Sequence, residues 1–92
     1  MEFRIRADRR GQAHALFATM LAQTSTFAGA ERIEWIQDRE DPEAWTIYEE
    51  WASPEAELAY RGFRAAEGAV PELAEVLAAA PSLRRFDLLA GS

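Results

Sequence analysis

Large apolar side chains alternate with polar ones on both parities between Ala44 and Trp51. Trp45, Ile47, Glu49 and Trp51 share one side of an extended chain, and Thr46, Tyr48 and Glu50 share the other. Aromatic and β-branched residues suit a pleated surface, so the run reads as a central strand with both faces covered. It stops at Ser53-Pro54-Glu55, where a capping serine, a proline at the first helical position and an acid in the first turn announce a helix. Trp51 therefore stands where a strand leaves the sheet and a helix begins, a natural wall for a pocket.

The same reading places the other elements. Phe3, Ile5 and Ala7 alternate with Arg4 and Arg6, which predicts an opening strand. After the turn Asp8-Arg9-Arg10-Gly11, residues 12–24 carry Ala13, Leu16, Phe17, Met20 and Leu21 at helical spacing, one apolar stripe on an amphipathic helix. Ser25 to Gly29 breaks it. Residues 30–38, with Ile33, Trp35 and Ile36, predict a strand joined to the central one by a hairpin through Arg39-Glu40-Asp41-Pro42-Glu43. A helix follows from Pro54 to about Glu67, with Ala56, Leu58, Ala59, Tyr60, Phe63 and Ala66 along it, and Gly68 marks its end. A short helix from Pro71 buries Leu73, Val76, Leu77 and Ala80 before Pro81 stops it, and residues 82–89 close the chain as a strand.

The order β-α-β-β-α-α-β fits an α+β domain of the ferredoxin-like, split-βαβ kind, a four-stranded antiparallel sheet with helices on one face. Right-handed crossovers put the first and third strands in the middle. Thr46 and Tyr48 then line an open second face, for which a second copy of the chain is the simplest cover. On that face Arg4 and Arg6 are placed to meet Glu50, or to stay solvated.

Composition narrows the chemistry. The 92 residues make a single domain spanning 1–92, 49% hydrophobic and 28% charged, a globular balance. A net charge of −6 without a basic cluster beyond Arg9-Arg10 and Arg84-Arg85 disfavours nucleic acid as a partner. No apolar run is long enough to span a bilayer, and Met1-Glu2-Phe3-Arg4 opens a strand rather than a signal peptide, so a cytoplasmic location without membrane partners is expected. There is no cysteine, hence no disulfide and no thiolate chemistry. All ten basic residues are arginine, which excludes lysine Schiff bases and lysine P-loops. With His14 the single histidine, a multi-histidine metal site cannot be built within one chain. The arginine and alanine bias hints at a bacterial genome rich in GC.

Gly29, the run Tyr48-Glu49-Glu50-Trp51-Ala52-Ser53-Pro54-Glu55-Ala56, and Tyr60 nine positions after the tryptophan resemble the antibiotic biosynthesis monooxygenase domain family. The likeness in element order runs from Phe3 to Leu89. It implies a dimeric α/β-barrel, a homodimer with two sheets packed face to face and a pocket in each subunit between sheet and helices. It also implies oxygenation of anthrones or hydroquinones without metal or flavin, the deprotonated substrate itself reducing O₂. The protein would supply a dry, shaped cavity and a few polar groups. The chain departs from the family where Tyr60 stands in place of the histidine many relatives carry. Haem-degrading members share an Asn, Trp and His constellation of which only Trp51 is present, so haem degradation is not expected.

The candidate site residues follow from the pattern and the resemblance together. Trp51 would stack planar substrates, or else anchor the strand-to-helix corner. Tyr60 would donate to a developing phenolate, or place its hydroxyl at the surface of the core. His14, beside the apolar stripe of the first helix, is a candidate base or a half-exposed histidine. Glu49 shares its strand face with Trp51 and is a base candidate if buried; an arginine partner would remove that argument. Phe17, Phe63 and Tyr48 complete a candidate aromatic lining, with core packing the alternative for the two phenylalanines. Arg61 and Arg64 are expected on the outer, solvated side of the second helix. Two functions remain open: a cofactor-independent monooxygenase acting on a small phenolic, quinol or anthrone-type compound, and a non-catalytic dimeric barrel that binds a hydrophobic metabolite or serves as a stress-response or accessory subunit.

Overall fold

A computed structural model describes residues 1–91. Three antiparallel strands, β1 (Glu2–Arg4), β2 (Ala30–Gln37) and β3 (Ala44–Trp51), form a sheet in the order β1-β3-β2. Three helices accompany it: α1 (Arg10–Ser25), α2 (Pro54–Ala65) and the single turn α3 (Leu73–Val76). The layout is the ferredoxin-like α+β arrangement, with β3 in the middle as its composition requires. Phe3 faces Trp45 across β1 and β3, and Trp35 faces Ile47 across β2 and β3. A bulge between Ala30 and Arg32 shifts the register at the end of the β2–β3 pair where Trp51 stands.

One core forms between the sheet and the helices. Phe3, Ile5, Trp45 and Ile47 from the strands meet Ala13 and Phe17 from α1 and Val76 from α3. The apolar stripe of α1 faces inward as its spacing demands. Ring centroids of Phe17 and Trp45 lie 5.0 Å apart, edge to face, as do those of Phe17 and Phe3.

The helix start after β3 is as the sequence predicts. Ser53 Oγ accepts the Ala56 backbone N–H at 3.1 Å, Pro54 occupies the first turn, and Glu55 and Glu57 sit at its positive end. Gly29, in the turn from α1 to β2, takes a φ of +88°, and its Cα lies against the Ala56 methyl of α2. Only a residue without Cβ fits there.

Four expectations need correction. The fourth strand is reduced to isolated antiparallel bridges on the outer edge of β1, Ser82 with Glu2 and Leu77 with Ile5. From residue 83 to residue 91 the chain has no regular structure, and Phe86, Leu88 and Leu89 are 79–94% exposed. The helix expected from Pro71 to Ala80 stops at Val76 because Leu77 turns extended and its neighbours bond to β1, Arg6 N to Val76 O and Ala78 N to Arg4 O, both at 2.8 Å. Ala7 leaves the first strand for a 3-10 turn. The far face of β3 is open within this chain: Tyr48 is exposed, as is Ile36 on β2. On that face Arg32 reaches Glu50, whereas Arg4 pairs with Asp41 at 2.7 Å and Arg6 with Asp8 at 3.2 Å. The guanidinium of Arg4 and the Glu43 backbone N–H hold the Asp41 carboxyl below its ordinary value.

Candidate active site

The inward face of β3 ends in Glu49 and Trp51, two residues apart on one side of the strand. Helix α2 returns over them with Tyr60, Arg61, Phe63 and Arg64. The last turn of α1 adds Thr24, and the following turn adds Phe27. Trp51 and Tyr60 stack with centroids 4.9 Å apart, tilted by 30°. Phe27 packs edge-on to both, at 6.3 Å from Trp51 and 5.3 Å from Tyr60, and meets Phe63 at 5.3 Å. These rings form an aromatic cluster between β3, α2 and the α1–β2 turn, separate from the core around Phe17.

Two arginines frame the cluster. Arg61 donates from Nη2 to Glu49 Oε1 at 2.6 Å and from Nε to Glu57 Oε2 at 2.7 Å. Trp51 Nε1–H donates to the same Glu49 oxygen at 3.0 Å. Glu57 also receives Arg85 from the C-terminal segment at 2.9 Å. That contact, with the help of Arg61, holds the Glu57 carboxyl below its ordinary value against the opposing effect of burial. Arg64 donates to Tyr60 Oη, Thr24 Oγ1, Gln23 Oε1 and the carbonyls of Met20 and Gly68. Its charge thus sits at the C-terminal end of α1, where the helix dipole favours a cation. Thr24 Oγ1 gives its proton to Met20 O, which leaves Tyr60 Oη, 2.7 Å away, as the donor of their shared bond. The hydroxyl of Tyr60 is occupied as both donor and acceptor.

Among the expected site residues, Glu49, Trp51, Tyr60 and Phe63 come together, and Glu49 has the arginine partner, Arg61, that removes burial as an argument for it as a base. His14 and Phe17 lie at the other end of the sheet: His14 is exposed and rests on Trp35 at 4.6 Å, and Phe17 is fully buried between Phe3 and Trp45. Trp45 and Trp51 are six residues apart on β3, roughly 20 Å at the rise of an extended strand. Tyr48 points to the open face, where its hydroxyl donates to Glu50 at 2.6 Å, a bond that raises its pKa. Arg61 and Arg64 are not on the outer side of α2 but flank its inner face, the Arg61 side chain only 21% exposed. Their signal lay in the spacing: Arg61 follows Glu57 by one helical turn, and Arg64 follows Tyr60 likewise. Thr24 and Phe27 carried no comparable signal.

Two of the hollows on the surface lie away from this cluster. One of about 460 Å³ lies on the sheet, lined by Glu2, Arg4, Ile36, Trp45, Thr46 and Ser82 among others, and one of about 390 Å³ lies beside α3 against Leu73, Leu77 and Pro81. Neither is lined by Trp51, Tyr60 or α1, so neither is the pocket expected there. The side of the indole facing α2 is covered by the Tyr60 ring, while Trp51 as a whole remains half-buried. Among the described residues no group of three His, Cys, Asp or Glu side chains could hold a metal ion, and no helix is long and apolar enough to cross a membrane.

A family model described as "antibiotic biosynthesis monooxygenase" matches residues 1–70. The fold is similar to that of Rv0793 from Mycobacterium tuberculosis, with a TM-score of 0.77 and 20% identity over 97% of this chain and 93% of the other. It is also similar to a conserved protein from Methanosarcina mazei, with a TM-score of 0.74 and 19% identity over 88% and 80% of the two chains. A provisionally assigned antibiotic biosynthesis monooxygenase from Chloroflexus aurantiacus gives a TM-score of 0.65 and 24% identity over 94% and 91%. No curated protein matches the chain.

Proposed function

This chain belongs to the antibiotic biosynthesis monooxygenase family, and on that premise we propose that it is a cofactor-independent monooxygenase acting on a small phenolic, quinol or anthrone-type compound. The observation that carries the reading is the enclosed carboxylate of Glu49 beside the Trp51 indole, at the edge of an aromatic cluster. In this reading a planar substrate lies on the part of the indole that Tyr60 leaves uncovered. The Arg61 ion pair removes burial as the ground for Glu49 as base. It is the place of Glu49 beside the indole, with Oε2 free of donors among the described residues, that offers it to the acidic proton. The electron-rich anion then reduces O₂. For an anthrone, a carbon–oxygen bond forms at the methylene carbon, the O–O bond breaks, that carbon becomes a carbonyl and the second oxygen leaves as water. Arg61 stabilises negative charge near the reacting face. Tyr60 shapes the wall of the site through its ring, since its hydroxyl is committed to Thr24 and Arg64. His14, Phe17 and Tyr48 have no part in this site.

A homodimer closed through the open sheet face accompanies the proposal. Tyr48 and Ile36 supply its apolar contacts, and the Arg32, Glu34 and Glu50 cluster its polar ones. A cytoplasmic location is part of this reading; among the described residues no helix is long and apolar enough to cross a membrane.

The rival reading, a non-catalytic barrel binding a hydrophobic metabolite, is favoured by one observation: the two hollows avoid Trp51 and Tyr60. Oxygen uptake with a panel of anthrones and hydroquinones, chelator present, separates the two. Turnover that falls in Glu49→Gln and Trp51→Ala supports the oxygenase. Absence of turnover, with thermal stabilisation by the same compounds, supports the binding protein.

A further inference from the structure

Glu49 is not a free side chain, and its restraint begins on another element. Arg61 uses Nη2 to hold Glu49 Oε1 and Nε to hold Glu57 Oε2, at 2.6 and 2.7 Å. The side chains of Glu49, Glu57 and Arg61 are 9%, 13% and 21% exposed, so these pairs are screened far less than surface pairs. A guanidinium is planar and presents its donors in a fixed fork, so anchoring one donor constrains where the others point. Glu57 is itself fixed, by its place in the first turn of α2 and by Arg85. The plane of Arg61 is therefore set from α2, and Glu49 on β3 is set by that plane together with the Trp51 indole N–H. Both donors converge on Oε1. Among the described residues Oε2 of Glu49 has no hydrogen-bond donor, and it is the oxygen left to receive a proton.

We infer that Arg61 is a positioning residue of this site: by bridging Glu57 and Glu49 with two N–H donors of one planar guanidinium, it holds the Glu49 carboxylate against the Trp51 indole with Oε2 available. The kinetic consequence rests on the reading of Glu49 as proton acceptor; the geometric one does not. Three features of α2 are independent of the bridge, namely the serine cap, the Trp51–Tyr60 stack and the Arg64 network. The helix thus stays seated when Arg61 is changed.

The test compares Arg61→Gln, Arg61→Lys and Glu57→Gln with the parent chain by two measurements. One is the Trp51 indole N–H resonance in ¹⁵N-labelled protein, which reads the bond to Glu49 without any substrate. The other is oxygen uptake with the compound turned over fastest. In Arg61→Gln the indole resonance moves upfield, and kcat falls about 10–100-fold with KM little changed, as expected for a misplaced rather than absent group. Arg61→Lys, able to keep one carboxylate but not both in a fixed plane, recovers part of each effect. Glu57→Gln, which leaves Arg61 in place and removes its charged anchor, shifts the resonance in the same direction by less, and it judges the inference if Arg61→Gln does not fold. An unmoved indole resonance in the folded variants overturns the inference. A moved resonance in a chain that takes up no oxygen with any substrate upholds the positioning role and removes the oxygenase reading instead.

Discussion

The hydroxyls of Tyr60 and Thr24 meet at 2.7 Å and join the end of α1 to the middle of α2. Thr24 is almost fully buried, and both oxygens also receive Arg64. Buried polar groups of this kind are costly to leave half satisfied. We expect Tyr60→Phe and Thr24→Val each to destabilise the fold by roughly 1–2 kcal/mol, and the double variant to lose less than their sum. Urea unfolding of the four proteins in the cycle measures the coupling.

Arg64 ties more groups than either hydroxyl, and its removal takes a charged donor at once from Tyr60, Thr24 and the carbonyls of Met20 and Gly68, although Tyr60, Thr24 and Met20 keep their bonds to one another. Arg64→Met should cost roughly 2–4 kcal/mol and lower Tm by about 10–20 °C. Arg64→Lys should recover less than half, because an ammonium cannot reproduce the fork. Thermal melts followed by circular dichroism check this.

Gly29 has no room for a methyl group, and its positive φ disfavours any L side chain. Gly29→Ala should destabilise by roughly 1–3 kcal/mol. A lowered denaturant midpoint with an unchanged m-value identifies a native-state effect.

The Glu57 carboxyl is held low by Arg85 first and Arg61 second. A carboxyl whose folded pKa lies below its unfolded one contributes stability that is whole above the ordinary carboxylate range and lost as pH falls through the folded value. The C-terminal segment should therefore loosen on acidification below about pH 4, the ordinary range of such groups. Backbone ¹⁵N order parameters in residues 83–91 should fall there, and Arg85→Gln should show the loosened state at neutral pH.

If two copies pair through the open face, a charge at its apolar positions must separate them. Ile36→Glu should convert the dimer to a species near 10.3 kDa by light scattering while leaving the circular dichroism spectrum intact.

Sequence patterning identified the elements whose information is local. The β3 run, the Ser53-Pro54 cap and the stripe of α1 each predict their own conformation and need no distant partner. It failed where a distant segment decides. Leu77 has helical spacing from Leu73, yet bridging to Ile5 draws it out of the helix. Residues 82–89 read as a closing strand, but β1 offers the chain only isolated bridges there, and Phe86, Leu88 and Leu89 stay exposed. Phe17 lies on the same helix stripe as Thr24, with His14 beside it, and nothing in that periodicity says which end of the sheet each will meet. Arg61 and Arg64 look like solvated charges until Glu49, from another element, and the Met20 carbonyl and Thr24 hydroxyl of α1 supply their partners.

The indole N–H of Trp45 donates to both Gln37 Oε1 on the neighbouring strand, at 3.0 Å, and Pro42 O in the connecting loop, at 3.1 Å. One side chain thereby closes a short loop and fixes the alignment of two eight-residue strands using groups fewer than ten positions apart. Such local closure costs little chain entropy, so this hairpin can assemble within microseconds, ahead of the longer-range pairing to β1. It is the natural nucleus for folding: destabilising changes at Trp45 should slow refolding, whereas those at Ser82 should leave it nearly untouched and act on unfolding.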